Sequence, residues 1–493
     1  MRHRSLRLHL NGVVLVVLAA LLAPAGAGAQ RAARPATGAV AAELPAAAAR
    51  MRTTLERVIR HETLPNGLDV IVIENHGVPL ATVEIDVKNG AFTQSPRYEG
   101  LAHMYEHMFF KGDSDYPEPD EWVQRAAELG AVFNGSTREE VVNYYLTVPA
   151  DSLEAGMRLL QSAFRAPLFR PDELAREKEV VLGEYDRQES SPFFRFTEAM
   201  NHALWRSQYS RKNMIGSRAV VTAVTPDQMR EIQHRYYVPN NAALIVAGDV
   251  DPARVFDLAA RIFGPLPRGA DPFVAHPIPE VAPLPGNDAV IVEAPVSTVV
   301  VMEQWLGPSV GKDPAATYAA DVFSDVMNQE GSRFQRRLVD SGLWHSVVVN
   351  YYTLDHTGPI TISGETTPDK LRPALAALDA EIAKFAQPGY FTAADVALQK
   401  QQRAVGTALG LERASGFAHE LGFWWSVAGL DYYLGYIDNM ARRTPADLRR
   451  YVRAYIVGRP HITGVLISPE ARAAIGLTAA DLLHPAAASA GER

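Results

Sequence analysis

Two histidines and a glutamate lie within five positions of the apolar segment YEGLAHMYEHMFFKG, residues 98–112. On an α-helix, positions i and i+4 lie about 40° apart around the axis and about 6 Å apart along it. His103 and His107 can therefore present their imidazoles to one zinc ion, while Glu106 lies beside that face, within reach of a bound water. This H-x-x-E-H order is the reverse of H-E-x-x-H and carries the same mechanics. A surface histidine pair next to a glutamate is the alternative interpretation of these five residues.

A hydrolytic zinc ion also needs a third protein ligand and an open position for water. The segment ELAREKEVVLGEYDR, residues 173–187, offers Glu177 and Glu184, which are seven positions apart. They share one helical face but lie about 10 Å apart along it, so one should bind the ion and the other should be its outer partner. A solvated acidic helix is the alternative, although the adjacent apolar residues 180–182 indicate that part of this helix is buried.

The elements that must position these residues recur along the chain. Residues 61–92 are typical of a strand pair, and further strands are predicted in AVFNGST, VVNYYLTVP and NAALIVAGDV, with helices between them. After a proline-rich stretch the same order returns in outline, which predicts two tandem copies of an α+β unit of about 220 residues. Val322, Asp325 and Val326 fall at the places of His103, Glu106 and His107, so the chemistry is expected in the first copy only.

Patterning divides the chain into six segments. Basic residues, the apolar run VVLVVLAALL and a small-residue site at Ala27-Gly28-Ala29 predict a cleaved signal peptide and an exported protein, periplasmic or secreted. A membrane anchor is the alternative, but the apolar run is short for a span, and no stable span is expected after cleavage. The predicted segments are the signal peptide 1–29, an Ala-rich lead 30–54, a zinc-bearing half 55–265, a linker 266–288, a second, metal-free half 289–480 and a flexible tail 481–493.

Composition narrows the classes of function. The 493-residue chain is 47% hydrophobic and 21% charged, as in globular proteins. Loss of residues 1–29 removes three arginines and no acidic residue, which takes the formal net charge from −8 to −11. Since no basic stripe is present to neutralise phosphates, we expect no binding to nucleic acid. The absence of cysteine excludes disulfides, thiolate ligands and a cysteine nucleophile, so any metal ion must be held by His, Asp or Glu.

Several motifs in register resemble one family. GLAHMYEHMFFKG with a glutamate 77 positions after His107, together with LPNGLDVIVIEN, EKEVVLGE, MIGS and YYVPNNAALIVAGDV, resembles the pitrilysin (insulinase, inverzincin) family. That family includes insulin-degrading enzymes and the mitochondrial processing peptidase, and the resemblance covers roughly residues 58–470. It implies an α+β fold of two homologous α/β sandwich-like halves, like the mitochondrial processing peptidase, and a zinc endopeptidase that cleaves unfolded peptides bound as an extended strand.

The resemblance also implies roles for individual residues. It makes His103, His107 and Glu184 the ligands of one Zn²⁺ per chain, and Glu106 the general base. Glu177 matches the second acidic residue of the same helix, which we expect to orient a ligand histidine.

The substrate-binding residues follow the family less closely. Asn134 lies on the edge-strand segment that holds the substrate backbone in relatives. Single-chain relatives carry an Arg and a Tyr, seven apart, in the second half, and here those places fall on Leu338 and His345. Nearby arginines can substitute from a neighbouring turn or belong to a solvated basic face; they are Arg333, Arg336 and Arg337. His345 can still donate to an oxyanion. We therefore expect the zinc-bearing subunit of a heterodimer, whose partner of similar fold supplies the Arg/Tyr pair.

Two other classes of function remain open. Some relatives are non-catalytic structural or assembly subunits of the same fold, and a zinc-independent peptide-binding module would bind unfolded peptide without cleavage. The complete set of His103, Glu106, His107 and Glu184 favours the enzyme, because a scaffold has no need to keep a general base.

Overall fold

A computed structural model describes residues 52–483. The predicted signal peptide 1–29, most of the predicted lead 30–54 and most of the predicted tail 481–493 lie outside the described residues. The rest of the chain forms two α+β halves, each with one twisted sheet covered by helices. The fold class predicted from the sequence is thus confirmed.

The sheet of the first half has the strand order β1-β2-β6-β3-β5-β4. Strands β2 and β6 are parallel, and all other neighbours are antiparallel. β6 is buried along its whole length, which explains its uninterrupted apolar sequence AALIVAG. Strand β4 forms one edge of the sheet. The strand bounds are Ile59–Thr63 (β1), Asp69–Glu74 (β2), Leu80–Val87 (β3), Val132–Thr137 (β4), Val142–Pro149 (β5) and Ala242–Gly248 (β6).

Helices of the first half begin where the sequence provides starting signals. Pro171 opens one of them with Asp172 and Glu173 in its first turn, and Thr225 forms a capping box with Gln228 at the start of another. The helices cover residues 52–58 (α1), Leu101–Phe109 (α2), Glu121–Glu128 (α3), Leu153–Arg165 (α4), Pro171–Glu189 (α5), Pro192–Trp205 (α6), Arg218–Ala223 (α7), Pro226–Tyr236 (α8) and Pro252–Ile262 (α9).

Between the halves, most residues of the predicted linker are exposed and irregular, apart from the short helix Pro272–Ala275 (α10). This suits an extended connection, and the exact segment boundaries given above stay predictions. Within residues 52–483, no helix combines the length and the apolar character that crossing a membrane requires.

The second half repeats the pattern with the strand order β7-β11-β8-β10-β9. Its strands are Asp288–Glu293 (β7), Val299–Leu306 (β8), Ser346–Tyr351 (β9), Pro359–Thr366 (β10) and Ile462–Ile467 (β11). Its helices are Pro314–Asn328 (α11), Arg333–Leu338 (α12), Leu371–Ile382 (α13), Ala393–Gly410 (α14), Ala414–Val427 (α15), Leu430–Leu434 (α16), Tyr436–Ala441 (α17), Pro445–Tyr455 (α18), Pro469–Ile475 (α19) and Ala479–Leu483 (α20).

The two halves exchange helices. Helix α15 of the second half packs its residues Phe417, Leu421 and Trp425 against β2 and β6 of the first sheet. Helix α6 of the first half packs Phe196 and Met200 against β8 and β11 of the second sheet. Each sheet therefore completes its core with a helix from the other half, so neither sheet is covered on both faces without its neighbour.

We expect Leu421→Ala to reduce the free energy of unfolding by about 2–5 kcal/mol, because it opens a cavity in the core between the halves. Leu421 is 0% exposed, whereas Leu409 on α14 is 59% exposed. Leu409→Ala is therefore a matched control that should change stability by less than about 0.5 kcal/mol. Urea denaturation followed by circular dichroism measures both variants. Equal effects of the two substitutions would contradict the exchanged-helix core.

Candidate metal centre

Helix α2 is held in place by its apolar face. Leu101, Met104, Tyr105 and Met108 lie in the core of the first half, and the ring of Tyr105 stacks on Tyr237 at 3.9 Å between centroids. The opposite face of the helix carries the ionisable side chains and contacts α5 and β4. Apolar anchoring thus fixes the helix and turns its polar face toward these two elements.

The start of α2 is set by a close backbone approach. Gly100 has a φ of 81°, and a Cβ there would lie 2.5 Å from the carbonyl oxygen of Ile215. Only glycine fits a left-handed position with this little space. Gly100 therefore seats the helix against the loop that leads into α7.

Three predicted ligand side chains converge between α2 and α5. The Nε2 atoms of His103 and His107 are 3.3 Å apart, and each lies 3.6 Å from Oε2 of Glu184. In tetrahedral coordination with metal–ligand distances of about 2.0–2.2 Å, donor atoms lie about 3.3–3.6 Å apart. One nitrogen from each histidine and one carboxylate oxygen thus fit a divalent cation, and His103, His107 and Glu184 can hold a metal ion.

Charge distribution at this point favours a cation. Burial and the neighbouring His107 lower the pKa of His103 to about 3, so its imidazole is neutral and its lone pair can bind a metal. Burial opposes the charged form of His107, but hydrogen bonds to Glu177 and Glu184 outweigh it and raise its pKa to about 9. The carboxylates therefore stabilise positive charge between them, which a metal ion would supply in place of the proton.

Glu177 lies behind the ligand histidine rather than with the three donors. Its Oε2 is 3.2 Å from Nδ1 of His107, on the far side of the ring from Nε2, and its Oε1 is 2.7 Å from Nζ of Lys111. Burial opposes ionisation of Glu177, but its hydrogen bonds to His107 and Lys111 outweigh it and lower the pKa. This contact orients the His107 ring with Nε2 toward His103 and Glu184, as a ligand to a metal ion would require. By contrast, Nδ1 of His103 has no hydrogen-bond partner among the described residues.

Glu106 is half-buried beside the three donors and faces β4. Thr137 donates its hydroxyl hydrogen to Oε2 of Glu106 at 2.6 Å. The missing side chain of Gly135 makes room, since a Cβ there would lie 2.9 Å from Cγ of Glu106. Burial raises the pKa of Glu106, although His107 and Thr137 act against it. A carboxylate with a raised pKa next to a metal site is suited to take up and release a proton.

Strand β4 leaves one of its edges open beside this group. It pairs only with β5, and its residue Val132 is 70% exposed. Asn134 lies on this strand opposite Tyr145, and its Oδ1 accepts a hydrogen bond from the amide of Gly135 at 3.0 Å. The free edge presents backbone donors and acceptors next to Glu106, as an extended peptide would require.

At the corresponding place, the second half holds an ion pair. Asp325 on α11 accepts two hydrogen bonds of 2.7 Å from the guanidinium of Arg403 on α14. Val322 and Val326 are buried in the core of this half. Asp325 is thus paired with an arginine of the chain itself, whereas His103, His107 and Glu184 of the first half can hold a metal ion. The side-chain contacts of the two halves therefore differ at this place.

The other residues considered for substrate binding are tied to the second half. The Arg333 guanidinium lies 5.4 Å from the ring centroid of Tyr390, and Leu338 is fully buried. His345 is exposed, and its amide donates to the carbonyl of Glu365 at 2.8 Å. The substrate roles of Arg333 and His345 stay predictions.

Two residues of the site were missed in the sequence. Lys111 lies four positions after His107, two residues past the end of α2, and Thr137 lies two positions after Gly135 on β4. The even spacing puts Thr137 on the same face of β4 as Gly135, which faces Glu106, and Lys111 reaches Glu177 from just beyond the end of the helix. These spacings are visible in the sequence, but they do not reveal the long-range contacts of Lys111 with Glu177 and of Thr137 with Glu106.

The fold and the site together define a metal-dependent hydrolase of two similar halves. Residues 69–217 match the family model of the insulinase family, peptidase family M16, and residues 223–403 match the peptidase M16 inactive domain. The chain belongs to the insulinase family (peptidase family M16), which makes it a zinc metallopeptidase, and the inactive-domain match begins in the first half and runs well into the second.

Relatives and solved structures agree with this assignment. An uncharacterized zinc protease of Rickettsia felis is 24% identical over 326 residues, which cover 66% of this chain and 77% of the relative. A protease from Helicobacter pylori has a similar fold, with a TM-score of 0.72 and 22% identity over 83% of this chain and 99% of that one. The first half of the periplasmic protease PqqL from Escherichia coli has a TM-score of 0.73 and 19% identity, covering 88% of this chain and 97% of that one.

We expect Glu177→Gln to weaken zinc binding by about 10–100-fold, because the His107 ring loses the carboxylate that orients it. Competition with a chromophoric chelator at fixed pH measures the affinity. Glu179 is on the same helix and exposed, so Glu179→Gln is the control that should leave the affinity unchanged. Unaltered binding by Glu177→Gln would mean that this contact does not support the ion.

Proposed function

We propose that this chain is an exported zinc endopeptidase that cleaves unfolded peptides bound as an extended strand. The observation that carries the proposal is the convergence of His103, His107 and Glu184 within 3.3–3.6 Å, with Glu106 between them and the open edge of β4. The N-terminal pattern of the sequence supports export, as does the fold shared with a periplasmic protease.

One Zn²⁺ per chain would be held by His103, His107 and Glu184. When bound, zinc lowers the pKa of a coordinated water to about 7 and polarises the scissile carbonyl. Thr137 engages Oε2 of Glu106, which leaves Oε1 to take the proton of the attacking water. Glu106 then returns that proton to the leaving amine as the peptide bond breaks.

The substrate would be held mainly through its backbone. A peptide that adds to the edge of β4 makes main-chain hydrogen bonds with that strand, and its side chains are read only loosely. Asn134 on the same strand would bind the peptide backbone. Because such pairing requires an extended chain, unfolded peptides should be cut over a wide range of sequences, while folded proteins should resist cleavage.

A partner subunit would complete the site. The complete PqqL chain is about twice as long, since this chain covers 50% of it. Leu338 and His345 stand where single-chain relatives have the Arg/Tyr pair, and Leu338 is buried. We therefore propose a heterodimer in which a separate chain of similar fold supplies these groups, with Arg333 and His345 as weaker contributors from this chain.

Glu106→Gln tests the catalytic assignment. The variant should bind zinc normally but lose at least about 100-fold in kcat, because an amide cannot take up the proton. Zinc content by atomic absorption and cleavage of a quenched fluorescent peptide measure the two properties, with Glu179→Gln as the control. Retained turnover by Glu106→Gln would show that Glu106 is not the base. A wild-type chain that neither binds zinc nor cleaves peptide would favour the non-catalytic structural subunit.

The partner hypothesis predicts weak activity of the isolated chain. Affinity purification of the exported protein from its own cells should recover a second chain of similar size, and adding that chain should raise kcat/KM for peptides at least about tenfold. Light scattering establishes the state of each sample. Full activity in a preparation that contains only monomers would rule out an obligatory partner.

A further inference from the structure

The turn that follows Thr137 is held by the second half. Residues 138–141 connect β4 to β5, directly after the threonine that donates to Glu106. The loop 352–358, between β9 and β10 of the second half, lies against this turn. The hairpin that contacts Glu106 is thus bound to the second half.

Glu140 makes the central contact. Its side chain is 2% exposed, and its Oε2 and Oε1 accept hydrogen bonds from the amides of Asp355 at 2.7 Å and His356 at 2.9 Å. Nδ1 of His356 lies 3.2 Å from Oε1 as well. Both oxygens of a buried carboxylate are therefore satisfied by the loop 352–358, which makes the contact geometrically demanding.

Further bonds across the same boundary strengthen the attachment. Ser426 on α15 donates to the carbonyl oxygen of Glu140 at 2.5 Å, and Lys212 of the first half donates to the carbonyl of Thr357 at 3.0 Å. Thr357 has a φ of 86°, an unfavourable position for a residue with a branched side chain. The loop holds this conformation where it meets Glu140 and Lys212, as expected if these contacts stabilise it.

The first half supports the turn from its other side. The amides of Ala91 and Phe92 donate to the carbonyls of Arg138 and Glu139 at 3.2 and 2.9 Å. Gly90 allows this approach, since a Cβ there would lie 2.3 Å from the Arg138 carbonyl oxygen. The turn is therefore held by contacts from both halves. Thr137, directly before the turn, connects it to the site through the hydroxyl that donates to Glu106.

From this geometry we infer that Glu140 is a positioning residue for the proposed reaction. It fixes the turn 138–141 to the second half, and through Thr137 this turn holds Glu106 in the orientation in which Oε1 meets the attacking water. The inference rests on the proposed function for its catalytic consequence. It gives the second half a definite task, the placement of the general base.

Hydrogen exchange tests the attachment without turnover. In the zinc-loaded full chain, Glu140→Gln should raise exchange of the amides of residues 135–141 at least about tenfold, because one amide hydrogen of Gln must face a backbone N–H. Glu381 is also buried, at 1% exposure, and it is bonded to Arg337, Lys384 and Tyr390 within the second half. Glu381→Gln is therefore the matched control, and it should leave residues 135–141 unchanged.

Kinetics test the positioning. Thr137→Val should lower kcat about 10–100-fold with little change in KM or zinc content, and Thr137→Ser should restore it, since a small displacement of a catalytic group has costs of this size. Glu140→Gln should lower kcat about tenfold. If Glu140 acts through Thr137, the double variant should be no slower than Thr137→Val alone.

The outcomes separate the two proposals. Unchanged exchange in Glu140→Gln, or multiplicative losses in the double variant, would overturn the positioning role while the peptidase stands. A zinc-loaded wild type that cleaves no peptide even in the presence of its co-purified partner chain would refute the proposed function, and raised exchange would still support the attachment of the turn. Should Glu140→Gln not fold, Ser426→Ala removes one bond to the same turn and should raise exchange there to a smaller extent.

Discussion

The structure depends on one electrostatic constraint: two imidazoles must face each other inside a buried pocket. With their Nε2 atoms 3.3 Å apart, two nitrogen lone pairs repel unless a positive charge lies between them. Glu184, next to both Nε2 atoms, and Glu177, at Nδ1 of His107, provide the negative charge that holds such a cation. Without these two carboxylates, no negative charge would hold a cation between the imidazoles. Burial would then favour separation of the two rings.

The same constraint explains how the halves differ. A helix pair that carries an acidic residue on its inner face needs a positive partner, and the two halves obtain it in different ways. In the second half, Arg403 pairs with Asp325 through two bonds, so the charge is balanced within the chain. In the first half, His103, His107 and Glu184 leave a position that a metal ion suits. One duplicated framework thus yields a structural ion pair in one copy and a metal centre in the other.

Much of this could be predicted from local sequence signals. The i, i+4 spacing of His103 and His107 defines one helical face whatever the surroundings are, and the uninterrupted apolar run of β6 indicates a buried strand. The choice between Glu177 and Glu184 required the resemblance to a known family, because both lie on one face of α5. The contacts of Thr137 and Glu140 could not be predicted, since they depend on how two separate segments of chain approach in space.

The exchange of helices links these local features to the behaviour of the whole chain. Because α15 completes the first sheet and α6 completes the second, movement of one half relative to the other would disturb both cores at once. Ser426, which bonds the turn 138–141, lies on that same helix α15. The helix that fills the core between the halves therefore also contacts the hairpin next to Glu106. Stability and the placement of Glu106 thus rest on shared contacts, so a chain with only the first half would keep His103, His107 and Glu184 but lose the support of Glu106 beside them.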